Sequence, residues 1–328
     1  MLEDSYKNFQ IKENPQKKFY CSIVVPGRND KYGIGFENRL QNFLNAIEYG
    51  IKTVPLADVE VIFVDYATPI ENPLLSDVIN VSKTFTGKVR FIVVPPNAHR
   101  TLEERYQTKY GFLEYVAKNI GVRRSQGKII LTTNADCLFP TEFFELIAGH
   151  QFNTAVIYRG NRWNLNNTML ERNNITMNEF IKIISETWRL KNMELSEWCT
   201  DFTNRFAVID SCDEYYKKEC SCAPGDFQML SKDMWHAMQG FNELPANYAT
   251  DSVFIARIMK LIPGYMRMFV HPLFFHQNHE GKAKQNRFPK EKKVKKDYCC
   301  IGNCIACGPY YDCDDWGLAE YAFDEVKY

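Results

Sequence analysis

Residues 19–26 (FYCSIVVP) form a short apolar, β-rich run closed by a proline, the pattern of a strand buried on both faces. Phe36, Leu40, Phe43, Leu44, Ile47 and Ile51 then recur at spacings of three, four and seven and predict an amphipathic helix. Two further apolar runs predict strands: residues 59–64 (VEVIFV), ending at Asp65, and residues 89–94 (VRFIVV), ending at a Pro-Pro pair. Tyr106, Tyr110, Leu113, Ala117 and Ile120 mark a second amphipathic helix, and Gly127 leads into another strand, KIILTTNAD.

Strands alternating with helices at short spacing predict an α/β fold, a mostly parallel sheet with helices on both faces. Ligands bind such sheets beyond the carboxyl ends of the strands. The residues to read for chemistry are therefore 27–30, Asp65, His99 and 134–136. The second half is less regular. Residues 161–174 are rich in Asn and Arg and read as loop, 179–191 as helix with Ile181, Ile184 and Trp188 on one side, and 227–237 and 252–261 as two more helices. The expected organisation is an extension at 1–18, a donor-binding half at 19–140, an acceptor-binding half at 141–280, and a basic, Cys-rich, finally acidic tail at 281–328, all around a single catalytic domain.

Composition narrows the classes. Forty basic residues balance forty acidic ones, so the chain lacks the electrostatic footprint of a nucleic-acid binder. The first eighteen residues are polar, without the apolar stretch of a secretory signal, and no apolar run reaches the length of a membrane helix. The expected compartment is the cytosol, with peripheral membrane attachment left open. There the eleven cysteines serve mostly as thiols or metal ligands.

A carboxylate ending a strand, as Asp65 does, either caps the next turn or meets a bound nucleotide, and the pattern alone leaves both open. In TTNADCLFP, Asp136 and Asn134 present oxygen atoms two residues apart just past a buried strand. Mg²⁺ and Mn²⁺ take such oxygens together with substrate phosphates. The ordered series SIVVPGRND, VIFVDYATP, NIGVRRSQGKIILTTNAD, GDFQMLSKDMWHAMQGFNE and TDSVFIARI resembles the family 2 glycosyltransferases, which have the GT-A fold, over about residues 19–262. That resemblance implies transfer of a monosaccharide from a nucleotide-diphosphate sugar, with UDP favoured, to a hydroxyl of a glycan or protein. It implies that Pro26, Gly27, Arg28 and Asn29 form the loop beside the base and that Asp65 bonds the base edge. Asp136, with Asn134 in the first position of an Asp-x-Asp-like loop, would hold the cation on the diphosphate. Asp251 stands where inverting members carry a general base, and Asp226, after Gly225, is its rival. Asn134 and Thr250 stand where the family more often shows acidic residues.

His276 and His279 follow the apolar segment 270–275 and are candidates to complete the metal site, against ordinary hydrogen-bonding roles. Lys282, Lys284 and Arg287 belong to a charge run that reads as a solvated loop or as a lid over the diphosphate. Cys304 and Cys307 have zinc-ligand spacing, and with Cys299 and Cys313 a structural Zn²⁺ site is an alternative to free thiols or disulfides. Trp163, Trp188, Trp198, Trp235 and Trp316 are candidates to stack on an acceptor sugar, against core packing. Three other readings compete. A nucleotidyltransferase needs its Gly-rich segment closer to the first strand than Gly33 and Gly35 stand. A nicotinamide dehydrogenase needs Gly-x-Gly-x-x-Gly, which is missing. A catalytically inactive GT-A domain that binds glycans or a partner is set apart by whether Asp136 and Asp251 converge on one cleft.

Overall fold

The computed structural model describes residues 18–30, 35–106, 110–165, 179, 182, 206–209, 224–243, 250–261, 266–277 and 315–328. Its strands are β1 (Phe19–Gly27), β2 (Val59–Tyr66), β3 (Val89–Val94), β4 (Gly127–Thr133), β5 (Cys137–Leu138), β6 (Ile157–Leu165), β7 (Phe206–Ile209), β8 (Phe227–Ser231), β9 (Met266–Gln277) and β10 (Asp324–Lys327). The helices are α1 (Phe36–Thr53), α2 (Leu75–Val78), α3 (Pro96–Tyr106), α4 (Glu114–Arg124), α5 (Thr141–Ala148), α6 (Lys232–Ala237) and α7 (Thr250–Leu261).

All of these strands join one sheet of order β10-β3-β2-β1-β4-β8-β6-β9-β5, with β7 pairing β9. The run β3-β2-β1-β4 is parallel throughout. From there β8 enters antiparallel to both β4 and β6, and β6 and β9 are parallel to each other. The fold is α/β as expected, with a parallel first half and a mixed second half.

Side chains alternate across the sheet, as strand geometry requires. Ile23, Val25, Val61 and Phe63 point into a core shared with Leu40, Phe43 and Ile47 of α1 and Phe143 and Phe144 of α5. Val24, Ile62 and Val64 point the other way, toward Val116 and Ile120 of α4, Trp235 of α6 and Phe254 and Ile255 of α7. Both faces of these strands are buried, which is why they read as unbroken apolar runs instead of alternating ones.

Four sequence expectations are corrected. The second helix is two helices, α3 and α4, separated at residues 107–113; Pro96 opens α3, where its missing N–H costs nothing. Every residue of α4 from Tyr115 to Val122 is buried, so no single apolar stripe describes it. Residues 227–231 are strand, not helix. Phe227 and Met229 face the first core and Leu230 the second, a two-residue alternation, and Ser231 then caps α6 by accepting from the Met234 N–H at 3.2 Å. Residues 161–165, expected as loop, are the end of β6 and pair with β9. Residues 315–328, in the expected tail, join the domain. β10 adds antiparallel to β3, and Arg123 and Arg124 donate to the carbonyls of Trp316, Gly317, Leu318 and Tyr321. Of the expected helix at 179–191, residues 179 and 182 are helical and the rest lies outside the described residues. The helix α5 was not expected from the sequence.

Candidate functional site

In the parallel run, β1 has β2 on one side and β4 on the other, so the chain changes direction of winding between β1 and β4. A crevice opens at such a point, beyond the carboxyl ends of the strands. Two groups of the expected residues gather there.

The first group lies at the ends of β1 and β2. Pro26 pairs with Val64 but lies past Val24, the last β1 residue with a β4 partner, where a missing N–H is least costly. Gly27 is needed for packing: a Cβ would come within 2.8 Å of Leu75 Cδ1. Asn29 is buried and knits the two loops. Its N–H donates to Thr68 Oγ1 at 3.0 Å, its amide donates to the Pro73 carbonyl at 3.0 Å, and its own carbonyl accepts from Asn72 at 2.7 Å. Asp65 is 1% exposed. One carboxylate oxygen accepts from the Thr68 hydroxyl and the other from the Leu75 N–H at 2.7 Å. Burial raises its pKa above the ordinary carboxylate value, and the two donors oppose that rise. Both oxygens thus hold the loop after β2, which is the capping role. Arg28 differs from its neighbours. Its Nε lies 3.4 Å from Asp30, while its buried Nη1 has no hydrogen-bond partner among the described residues. Beside it His99, in α3 and not in a loop, sits between Tyr66 Oη at 3.1 Å and Glu103 at 3.2 Å. Burial holds His99 below its ordinary pKa, with Glu103 opposing and Arg28 reinforcing.

The second group lies around the end of β4, the start of β8 and the end of β9. Asp136 follows β4 in a tight turn, and its Oδ2 is 3.3 Å from His276 Nε2. His276 is within β9, not past it, and pairs across the sheet with Cys137. The next residue, Gln277, fixes this pair: its N–H donates to the Asp136 carbonyl at 2.7 Å, and its side chain is held by Asn42 and the Arg39 carbonyl of α1. Asn134 donates to Asp226 Oδ1 at 2.7 Å, and Thr133 donates to the Asp226 carbonyl at 2.7 Å. Asp226 closes a 3-10 turn, Pro224–Asp226, that delivers the chain into β8. The buried Cys137 thiol is pushed well above its ordinary value by burial, with Asp226 and Asp136 both adding. Asp251, in the first turn of α7, is 8% exposed, and its carboxylate lies beside the Tyr115 hydroxyl over the bare Cα of Gly225. Asp226 is common ground. It meets Asn134 on one side, and through Gly225 it adjoins Asp251 on the other, where a Gly225 Cβ would lie 3.2 Å from Asp251 Oδ2.

Asn134, Asp136, Asp226, Asp251 and His276 therefore converge at one end of the sheet. The Asp136 carboxylate suits Mn²⁺ or Mg²⁺, while the His276 imidazole is a poor ligand for Mg²⁺ and so favours a transition metal such as Mn²⁺ over it. Among the described residues no group of three or more His, Cys, Asp or Glu is placed to hold a cation. The pair fits a cation only if diphosphate oxygens and water fill the rest of its shell. His279, Lys282, Lys284, Arg287 and the cysteines 299, 304, 307 and 313 lie outside the described residues, as do Trp188 and Trp198. Trp235 is core, donating to the Ile130 carbonyl at 3.1 Å, and Trp316 is buried against Arg123, so neither offers a face to a sugar. Tyr115, Lys118 and Gln277 were missed from the sequence. The cue for the first two was polar groups inside a helix with no polar face.

No protein-family model matches the chain, and no curated protein does. Among solved structures it is similar to S. aureus TarS 1–349 in complex with UDP-GlcNAc, at 12% identity and a TM-score of 0.48, over 82% of this chain and 62% of that one. It is also similar to the galactosyltransferase LgtC in complex with donor and acceptor sugar analogs, at 10% identity and a TM-score of 0.37, over 75% of this chain and 72% of that one. The match thus spans less than two thirds of the TarS chain. No helix among the described residues is long and apolar enough to cross a membrane.

Proposed function

We propose that the chain is a glycosyltransferase that moves a monosaccharide from a nucleotide-diphosphate sugar, UDP-sugar favoured, to a hydroxyl on a glycan or protein. The observation that carries this reading is the gathering of Asp136, Asp226 and Asp251 near the carboxyl end of β4, with the family-like order of motifs supplying the assignment of roles. Arg28, whose buried Nη1 has no partner among the described residues, is the group we assign to the donor's phosphates or base, with Asn29 shaping the loop. Asp65 is assigned to holding that loop, with any contact to the base sharing an oxygen already in use.

In the transfer, Asp251 accepts the proton of the attacking hydroxyl as the oxygen bonds to the anomeric carbon and the carbon–oxygen bond to the nucleoside diphosphate breaks, with inversion. A divalent cation held by Asp136 and His276, with His279 as a further candidate, supplies neutralisation of charge on the departing diphosphate when bound. Asn134 keeps Asp226 turned toward the acceptor side.

The test is hydrolysis of a panel of nucleotide sugars with Mn²⁺ by wild type and Asp136→Ala. Turnover by wild type and its loss in the variant are expected. A wild type that neither binds nor hydrolyses any donor sinks the reading and leaves the inactive GT-A domain in its place.

A further inference from the structure

Helix α4 carries none of the expected catalytic groups, yet it grips the acceptor side of the site from beneath. Tyr115, Lys118 and Asn119 are all buried. The Lys118 ammonium, fully enclosed, donates to the Gly225 carbonyl at 2.7 Å and pairs with Glu114 at 2.7 Å, so the turn that ends in Asp226 is tied to α4 through a charge-assisted bond. Asn119 binds the Phe241 backbone at both its N–H and its carbonyl. The Tyr115 hydroxyl reaches over the bare Cα of Gly225. A Cβ there would lie 2.8 Å from Tyr115 Oη and 3.2 Å from Asp251 Oδ2, so these two groups share one small space that only glycine leaves open. Tyr115 packs edge-on against Phe241 at 5.0 Å, which fixes its ring.

We propose that Tyr115 is a positioning residue for Asp251: its hydroxyl donates to the Asp251 carboxylate above Gly225 and fixes the rotamer in which Asp251 meets the acceptor hydroxyl. The inference rests on the glycosyltransferase reading for what Asp251 does, and on geometry alone for what Tyr115 does. A carboxylate accepts about four hydrogen bonds, so this one leaves room for the acceptor. Burial, with Glu114, Asp251 and Asp226 adding, raises the Tyr115 pKa well above the ordinary phenol value, so it stays a donor and takes no part as an acid. The plainer account is that a buried tyrosine hydroxyl needs some partner and found this one. The two differ in what removal does.

The full chain is assayed for Mn²⁺-dependent donor hydrolysis as wild type, Tyr115→Phe, Asp251→Asn and the double variant. Tyr115→Phe is expected to lower kcat about ten- to hundredfold, the range set by one hydrogen bond to a charged group, with donor KM held. In the Asp251→Asn background the same change is expected to cost nothing further. A full additional loss in the double variant, or a change in KM with kcat held, overturns the proposal. A second readout needs no activity. With 3-fluorotyrosine at position 115, the ¹⁹F resonance is expected to move on Asp251→Asn, and an unmoved resonance overturns the proposal whether or not any nucleotide sugar is turned over. A moved resonance in a protein that hydrolyses no donor refutes the glycosyltransferase reading while leaving the Tyr115–Asp251 link in place.

Discussion

The two ends of the parallel strands treat charge in opposite ways. At the amino end, Glu60 is 1% exposed and accepts from Ser22 Oγ at 2.5 Å, from the Gln126 N–H and from Arg90 at 3.1 Å. Arg90 goes on to Glu325 of β10 at 3.3 Å and to the Arg124 carbonyl at 2.8 Å. Four strands, the end of α4 and the residue that leads into β4 are thereby closed around one network whose members serve each other. At the carboxyl end, Asp136, Asp226 and Asp251 are brought to one region from three different segments, where like charges repel one another even as Asp136 meets His276 and Asp226 meets Asn134. One end spends its charges on holding strands together, and the other gathers like charges where a ligand can meet them. On the proposed reading, stability and chemistry are separated along the strand axis.

Substitutions at the two ends should therefore fail in different assays. Asp251→Asn is expected to lower donor hydrolysis by about 10² to 10⁴, the usual worth of a general base, with thermal unfolding little changed; equal loss of activity and of melting temperature would erase the contrast. Arg90→Ala strips the partner from a buried carboxylate and is expected to cost about 3–5 kcal/mol in urea unfolding, while any folded fraction keeps its KM for donor. Gly50→Ala sharpens the point on the α1 side. A Cβ there would lie 2.2 Å from Phe144 Cε2 by the spacing of the bare helix, so overpacking of about 1–3 kcal/mol is expected without any effect on turnover. Ser231→Ala removes the cap of α6 and is expected to cost about 1 kcal/mol, again read by denaturant.

A pH test addresses the flank where residues 315–321 pack. Burial lowers the His236 pKa to about 4 from 6.5, with Lys232 and Arg123 adding, and its ring stands edge-on to Trp316 at 5.2 Å. The folded protein thus binds this proton less readily than the unfolded chain. Stability from this site is complete above about pH 6.5 and is lost as pH falls from there toward 4. In His236→Gln the melting temperature should change less over that window than in wild type; parallel curves would show that the histidine does not titrate with unfolding.

Much of the parallel half was legible. The apolar runs at β1, β2, β3 and β4 needed only local rules, because strands buried on both faces leave no other pattern, and α1 showed a stripe because one side of it meets water. Candidate residues just past those strands followed from the general rule for open α/β sheets. Legibility ended where burial became complete. α4 has no wet face, so its period was misread and joined to α3, and β8 was taken for helix because its neighbours on both sides come from segments distant in sequence.

Sequence alone determined β1, β2, β3, β4 and α1 and the short list of carboxylates worth attention, since hydrophobic period and position after a strand are local properties. Tertiary structure alone decided three things. Asp65 is engaged with Thr68 and Leu75, Asp136 faces a histidine 140 residues away in sequence, and Tyr115 shares the space above Gly225 with Asp251. Each depends on which segments the sheet order makes neighbours, and that order is fixed by packing both cores at once, which no window of sequence contains.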